Sequence, residues 1–138
     1  MMSLSPAHTA CTDITVLVVE DHDDSRDFLV HALRHLGTHV VAVGGAAKAL
    51  AYLKTVKPHV VVSDLSMPDK DGFEFLQEVR ASPYLRDVPA VAVTGHRGLE
   101  GRAERAGFQR FMRKPIDALE LCRVIGALVA AGGQREAT

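Results

Sequence analysis

His59-Val60-Val61-Val62-Ser63-Asp64 is a short apolar run that ends on a carboxylate. It lacks the in-out alternation of a half-solvated strand, so it reads as a strand covered on both faces, as in parallel sheets sandwiched by helices. Three further short runs read as strands, and each stops at a polar residue of different chemistry. Thr15-Val16-Leu17-Val18-Val19 stops at Glu20-Asp21, Ala90-Val91-Ala92-Val93 stops at Thr94, and Arg110-Phe111-Met112-Arg113 stops at Lys114-Pro115. Another run, Val40–Val43, is closed by Gly44-Gly45. As parallel strands, these segments would bring three carboxylates, a hydroxyl and an ammonium to one edge of a sheet. Open α/β sheets bind ligands in the crevice at the carboxyl ends of their strands, so the pattern implies a site as well as a fold.

The segments between the runs read as helices. Asp23 or Asp24 can cap one that continues to about Leu36, with Phe28, Leu29, Ala32, Leu33 and Leu36 on one face and Gly37 at its end. A second spans about 46–56 with Ala49, Leu50 and Leu53 inward, and a third about 72–80 with Phe73, Leu76 and Val79 inward, capped by Asp71. The fourth, Arg97–Arg105, is weak, because Gly98 and Gly101 each cost about 1 kcal/mol relative to alanine. A last helix begins near Asp117 and runs to about Ala131. Its inward face reads as Ile116, Leu119, Cys122, Ile125 and Val129. Leu121, Val124 and Leu128 are then left over, for a wider buried face or for a partner or homodimer surface. The β-α alternation with right-handed crossovers predicts an α/β, doubly wound five-stranded parallel sheet with helices on both faces. Residues 1–13 read as a loose N-terminal tail, 14–131 as the single domain, and 132–138 as a polar C-terminal tail.

The totals narrow the function. A net charge of -1 over 138 residues gives no basic excess with which to grip nucleic-acid phosphates directly. No apolar run approaches the roughly 18 residues of a membrane span, and no charged and apolar leader precedes Cys11, so a cytoplasmic protein is expected. Cys11 and Cys122 lie at opposite ends without a metal-spaced motif and read as free thiols. His31 and His35, although spaced i,i+4, lack a third ligand and read as solvated; Asp69 and Lys70 read as solvated loop residues.

Carboxylates gathered at one sheet edge repel and call for a cation, and an oxygen-only donor set suits Mg²⁺. Lys114 and Thr94 offer partners for phosphoryl oxygens, and one carboxylate is free to act as a nucleophile toward phosphorus.

With these residues in hand, the chain from about Thr15 to Ala130 resembles the receiver domain of two-component response regulators. The resemblance rests on Glu20-Asp21, on Asp64 followed by Met67-Pro68 and Asp71-Gly72, on Thr94-Gly95, and on Lys114-Pro115. It implies the flavodoxin-like strand order 2-1-3-4-5. It implies Asp64 as phospho-acceptor, with Glu20, Asp21 and Asp64 holding Mg²⁺ together with the backbone carbonyl of Ser66. Thr94 and Lys114 would bind the phosphoryl group, Phe111 would be the aromatic switch coupled to Thr94, and the Lys114-Pro115 bond would be cis. Ser66 and His96 stand where the family tunes the lifetime of the phosphoryl group, and the Thr94–Gly107 segment is shorter than is common there.

The implied donor is a histidine kinase or a histidine phosphotransfer protein. Output is expected from binding an unidentified downstream protein or from relaying phosphate, with no attached output domain. The competing readings are a receiver-fold scaffold that acts without phosphorylation, a small aspartyl-phosphate phosphatase and a flavin module. Ser66 stands where such phosphatases often place a second aspartate, and Glu20–Asp24 would repel a flavin phosphate.

Overall fold

The computed structural model describes residues 9–137, with side chains as far as residue 132. Strands β1 (Thr15–Val19), β2 (His39–Val43), β3 (Val60–Asp64), β4 (Ala90–Thr94) and β5 (Arg110–Arg113) alternate with helices α1 (Asp23–His35), α2 (Ala46–Leu53), α3 (Gly72–Ala81), α4 (Glu100–Ala106) and α5 (Ala118–Ala137). The strands form one parallel sheet in the order β2-β1-β3-β4-β5. The central strands β3 and β4 are buried along their whole length, which explains their uninterrupted apolar sequences. Successive side chains point to opposite faces and build two cores. Leu17, Val19, Val61, Ala90 and Ala92 pack with α2, α3 and Ala103 of α4. Val16, Val18, Val60, Val62, Val91 and Val93 pack with α1 and α5.

Several expectations are corrected. Cys11 and Cys122 are not free thiols; they form a disulfide across 111 residues of sequence, with Cα atoms 5.2 Å apart. The pairing is possible because residues 9–13 are not a loose tail but a strap folded onto the end of α1 and onto α5. Cys11 is fully buried, its carbonyl accepts the Thr38 hydroxyl at 3.1 Å, and the Asp13 amide donates to the Gly37 carbonyl at 2.9 Å. Gly126 makes the close approach to α5 possible, since a Cβ there would lie 2.6 Å from the Ala10 carbonyl oxygen. The remainder of the expected N-terminal tail, residues 1–8, and Thr138 lie outside the described residues.

Helix α5 continues to Ala137, past its expected end. Its buried face is centred on Leu121, Cys122, Val124 and Ile125, whereas Leu119, expected inward, is 54% exposed. Two of the three apolar residues left over by the sequence pattern thus belong to the core. In α1, Leu29 and Leu33 are buried as expected, but Phe28 faces outward and is 54% exposed. Neither Asp23 nor Asp24 caps that helix: His22 occupies the cap position without a side-chain bond, and Asp23 pairs with Arg26 at 2.6 Å. The weak fourth helix forms, but starts later than expected, because Gly98 takes a left-handed conformation (φ +84°) ahead of it.

Candidate functional site

The carboxyl ends of β1, β3, β4 and β5 deliver Glu20, Asp64, Thr94 and Lys114 to one crevice, as the strand pattern required. Glu20, Asp64 and Thr94 are all buried, whereas Asp21 is exposed at the rim. The Lys114 ammonium bridges the two buried acids, donating to Asp64 Oδ2 at 3.0 Å and lying 2.8 Å from Glu20 Oε1. The peptide preceding Pro115 is cis, as the resemblance implied, and the Lys114 amide donates to the Thr94 carbonyl at 2.8 Å.

Local backbone geometry fixes each acid. The His22 amide donates to Glu20 Oε2 at 3.0 Å, and the Ser66 amide donates to Asp64 Oδ1 at 3.0 Å. The Thr94 hydroxyl accepts the His96 amide at 3.2 Å. Asp71 caps α3 by accepting the Glu74 amide at 2.8 Å, as expected. Gly72 is required beside it, since a Cβ would lie 2.5 Å from the Asp64 carbonyl oxygen. The Asp71-Gly72 pair therefore seats the start of α3 directly against the backbone of Asp64.

Burial raises the Glu20 carboxyl above its usual range, reinforced by the charge of Asp64 and opposed by Lys114 and the His22 amide. Burial pulls the Lys114 ammonium down, but its contacts with Glu20 and Asp64 outweigh this and leave it raised. The site therefore carries more negative charge than its own lysine relieves.

A divalent cation suits this arrangement. Carboxylate oxygens of Glu20, Asp21 and Asp64 all lie within 4.8 Å of one another. Glu20 Oε1, which meets Lys114 without a hydrogen-bonding angle, is the one buried side-chain polar atom among the described residues left without a hydrogen-bond partner. A buried, unsatisfied carboxylate oxygen in an all-oxygen cluster is what a hard cation would satisfy.

Phe111 is half-buried on β5 and packs against the core beneath α2, α3 and α4. Two residues with a part in the site were not singled out as such by the sequence. Arg26 donates from Nη1 to the Glu20 carbonyl at 2.9 Å and so braces the acidic turn. Asp69, expected to be a solvated loop residue, accepts the Ala46 and Ala47 amides at 3.2 and 2.8 Å. The available signal was the Gly44-Gly45 start of α2: a helix without a capping side chain of its own leaves amides for another segment to satisfy.

Comparison with known proteins agrees with this geometry. The model of the response regulator receiver domain matches residues 16–126. The chain is 40% identical over 112 residues to an uncharacterized 14.6 kDa protein of Leptolyngbya boryana, covering 80% of this chain and 86% of that one. It is 34% identical over 121 residues to the "Probable chemotaxis protein CheY" of Rhizobium etli, covering 86% and 94% respectively. Among solved structures, the receiver domain of a sensor histidine kinase from Pseudomonas aeruginosa PAO1, with a magnesium ion coordinated in its active-site cleft, superposes with a TM-score of 0.80 at 26% identity, covering 86% of this chain and 99% of that one. The receiver domain of a signal transduction histidine kinase from Syntrophus aciditrophicus superposes with a TM-score of 0.79 at 25% identity, covering 86% and 91%. Strand order, the acid–lysine–threonine crevice and these matches agree: the chain belongs to the response regulator receiver domain family.

Proposed function

We propose that the protein is a phospho-accepting signalling switch whose acceptor is Asp64. The observation that carries this reading is the setting of that carboxylate. One oxygen is held by the Ser66 amide and the other by the Lys114 ammonium, at the edge of a cluster with Glu20 and Asp21. In the proposed reaction an Asp64 carboxylate oxygen attacks the phosphorus of a phosphohistidine donor. The phosphorus–nitrogen bond breaks, the imidazole leaves with the electron pair, and an acyl phosphate remains on Asp64. Lys114, paired with Asp64, would neutralise charge on the transferred group, and the Thr94 hydroxyl at the neighbouring strand end would hydrogen-bond it.

Glu20, Asp21 and Asp64, with the carbonyl of Ser66, would hold Mg²⁺. When bound, the ion supplies charge neutralisation for the phosphoryl oxygens. The magnesium ion in the Pseudomonas aeruginosa relative supports this choice of cation.

The donor in this reading is a histidine kinase or a histidine phosphotransfer protein. An open groove beside Lys114, walled by Phe28, Leu29, Pro115 and Ile116, supports the approach of such a protein to Asp64. Phosphorylation would then bias two conformations through Thr94 and Phe111, and signalling would follow from binding a downstream protein or from passing the phosphoryl group on.

A small phosphodonor such as acetyl phosphate, supplied with Mg²⁺, tests the reading. The wild type should gain one phosphoryl group by intact mass and Asp64→Asn none. Equal labelling of the two proteins would overturn it.

A further inference from the structure

The segment between Asp64 and Gly72 carries Ser66, and it is tied to the rest of the molecule at Asp69. Helix α2 starts at Gly45 with no capping side chain of its own. Its first amides instead bond to Asp69, with Ala46 N 3.2 Å from Oδ1 and Ala47 N 2.8 Å from Oδ2. Gly45 leaves room for this contact, because a Cβ there would stand 3.0 and 3.2 Å from the two carboxylate oxygens. The bond from Ala47 does most to hold the Asp69 carboxyl below its ordinary value, so it is ionised at neutral pH.

The neighbouring ties differ in kind. Lys70 pairs with Glu78 and Asp71 caps α3, so both fasten the loop to the helix that follows it. Asp69 fastens it to α2 instead. Between Ser66 and Asp69 stand only Met67, which packs against the core, and Pro68, whose ring fixes its backbone φ. A displacement at Asp69 therefore has little slack in which to dissipate before it reaches Ser66, whose amide holds Asp64.

We propose that Asp69 is a positioning residue: by clamping the loop to the start of α2, it sets the placement of Ser66 and thereby the affinity of the acid cluster for its divalent cation. The inference rests on reading Glu20, Asp21, Asp64 and the Ser66 carbonyl as the Mg²⁺ site, and it adds a residue that touches neither the ion nor the phosphoryl group.

The test titrates Mg²⁺ alone into the full chain by calorimetry and follows amide exchange at Ala46 and Ala47 without metal. Asp69→Ala should weaken Mg²⁺ binding about tenfold, the lower end of what losing an outer-shell partner does, and should expose the Ala47 amide to exchange. Asp69→Asn, neutral and able to accept only one of the two amides, should recover part of the affinity. Gly45→Ala, which keeps the charge but crowds the carboxylate, should weaken binding in the same direction as Asp69→Ala. At saturating Mg²⁺ the phosphorylation rate of Asp69→Ala should return to that of the wild type, a split that a general loss of stability would not produce.

Equal weakening by Asp69→Ala and Asp69→Asn would show that the hydrogen bond asparagine retains positions nothing and overturn the inference, as would wild-type affinity in Asp69→Ala. If the wild type binds Mg²⁺ in the expected pattern but takes up no phosphoryl group, the switch reading fails and this inference stands. If phosphorylation proceeds and all variants bind alike, only this inference fails. A wild type that binds no Mg²⁺ overturns both.

Discussion

The two ends of the sheet are held together by opposite means. At the carboxyl ends of the strands, two buried acids share one lysine, a third acid stands at the rim, and a carboxylate oxygen is left without a hydrogen-bond donor. At the other end, the 9–13 strap is closed by a disulfide, by backbone hydrogen bonds and by the contact of Ala10 with Gly126. The first end concentrates like charge in a partly desolvated crevice, which destabilises the fold and, in the proposed function, would give it affinity for a cation and a phosphoryl group. Among the described residues, the second end leaves no buried side-chain polar atom without a partner, and its ionisable groups, such as the Asp13–His39 pair, are exposed. Changes at the strap should therefore lower stability and leave phosphoryl chemistry alone, whereas changes in the crevice should alter phosphoryl chemistry and, where they remove buried like charge, raise stability.

The largest expected effect is at the strap. Cys122→Ser, or reduction of the wild type, should lower the unfolding free energy by about 2–5 kcal/mol, the range for a native cross-link that closes a long loop. Urea unfolding with and without dithiothreitol measures it, and the phosphorylation rate well below the transition should stay unchanged. Identical unfolding curves with and without reductant would remove the covalent half of the comparison.

The next effect has the opposite sign. Glu20 is held protonated more readily in the fold than in the unfolded chain. The folded state therefore binds more protons as pH rises past the ordinary value of 4.5, and stability falls through that window in metal-free protein. Glu20→Gln should abolish this slope and raise stability at neutral pH, because the fold disfavours the ionised form of this buried carboxyl. It should also weaken Mg²⁺ binding. A variant less stable than the wild type at every pH would show that the Lys114 contact outweighs the burial of Glu20.

The smallest effect falls on the seating of α3. Asp71→Ala removes the bond to the Glu74 amide and should cost about 0.5–1 kcal/mol by thermal unfolding. Phosphorylation should be little affected, because Gly72 still packs against Asp64.

The crevice was legible in the sequence because its logic is local. Each candidate residue stands at or just past the end of a short strand, and parallel pairing places all such ends on one edge, so Glu20, Asp21, Asp64, Thr94 and Lys114 could be read without knowing any side-chain contact. The strap was not legible because its logic is tertiary. Cys11 and Cys122 are 111 residues apart, and only the absence of a Cβ at Gly126 lets the chain carrying Cys11 reach α5. Asp69 was missed for the same reason, since its partners belong to a helix earlier in the chain. The helix faces were half right. Leu29 and Ile125 are buried as expected, but Phe28 and Leu119 lie just outside the buried arc, where apolar spacing alone does not fix the rotation of a helix. The caps show a similar limit: Asp71 works as a cap, whereas Asp23 turns to Arg26 instead.

The most direct test of the central claim is where the phosphoryl group goes. Wild-type protein treated with a small phosphodonor and Mg²⁺, digested and mapped by mass spectrometry, should carry the modification on the peptide containing Asp64, at Asp64 alone. A phosphoryl group on any of the seven histidines, or on another carboxylate, would contradict it.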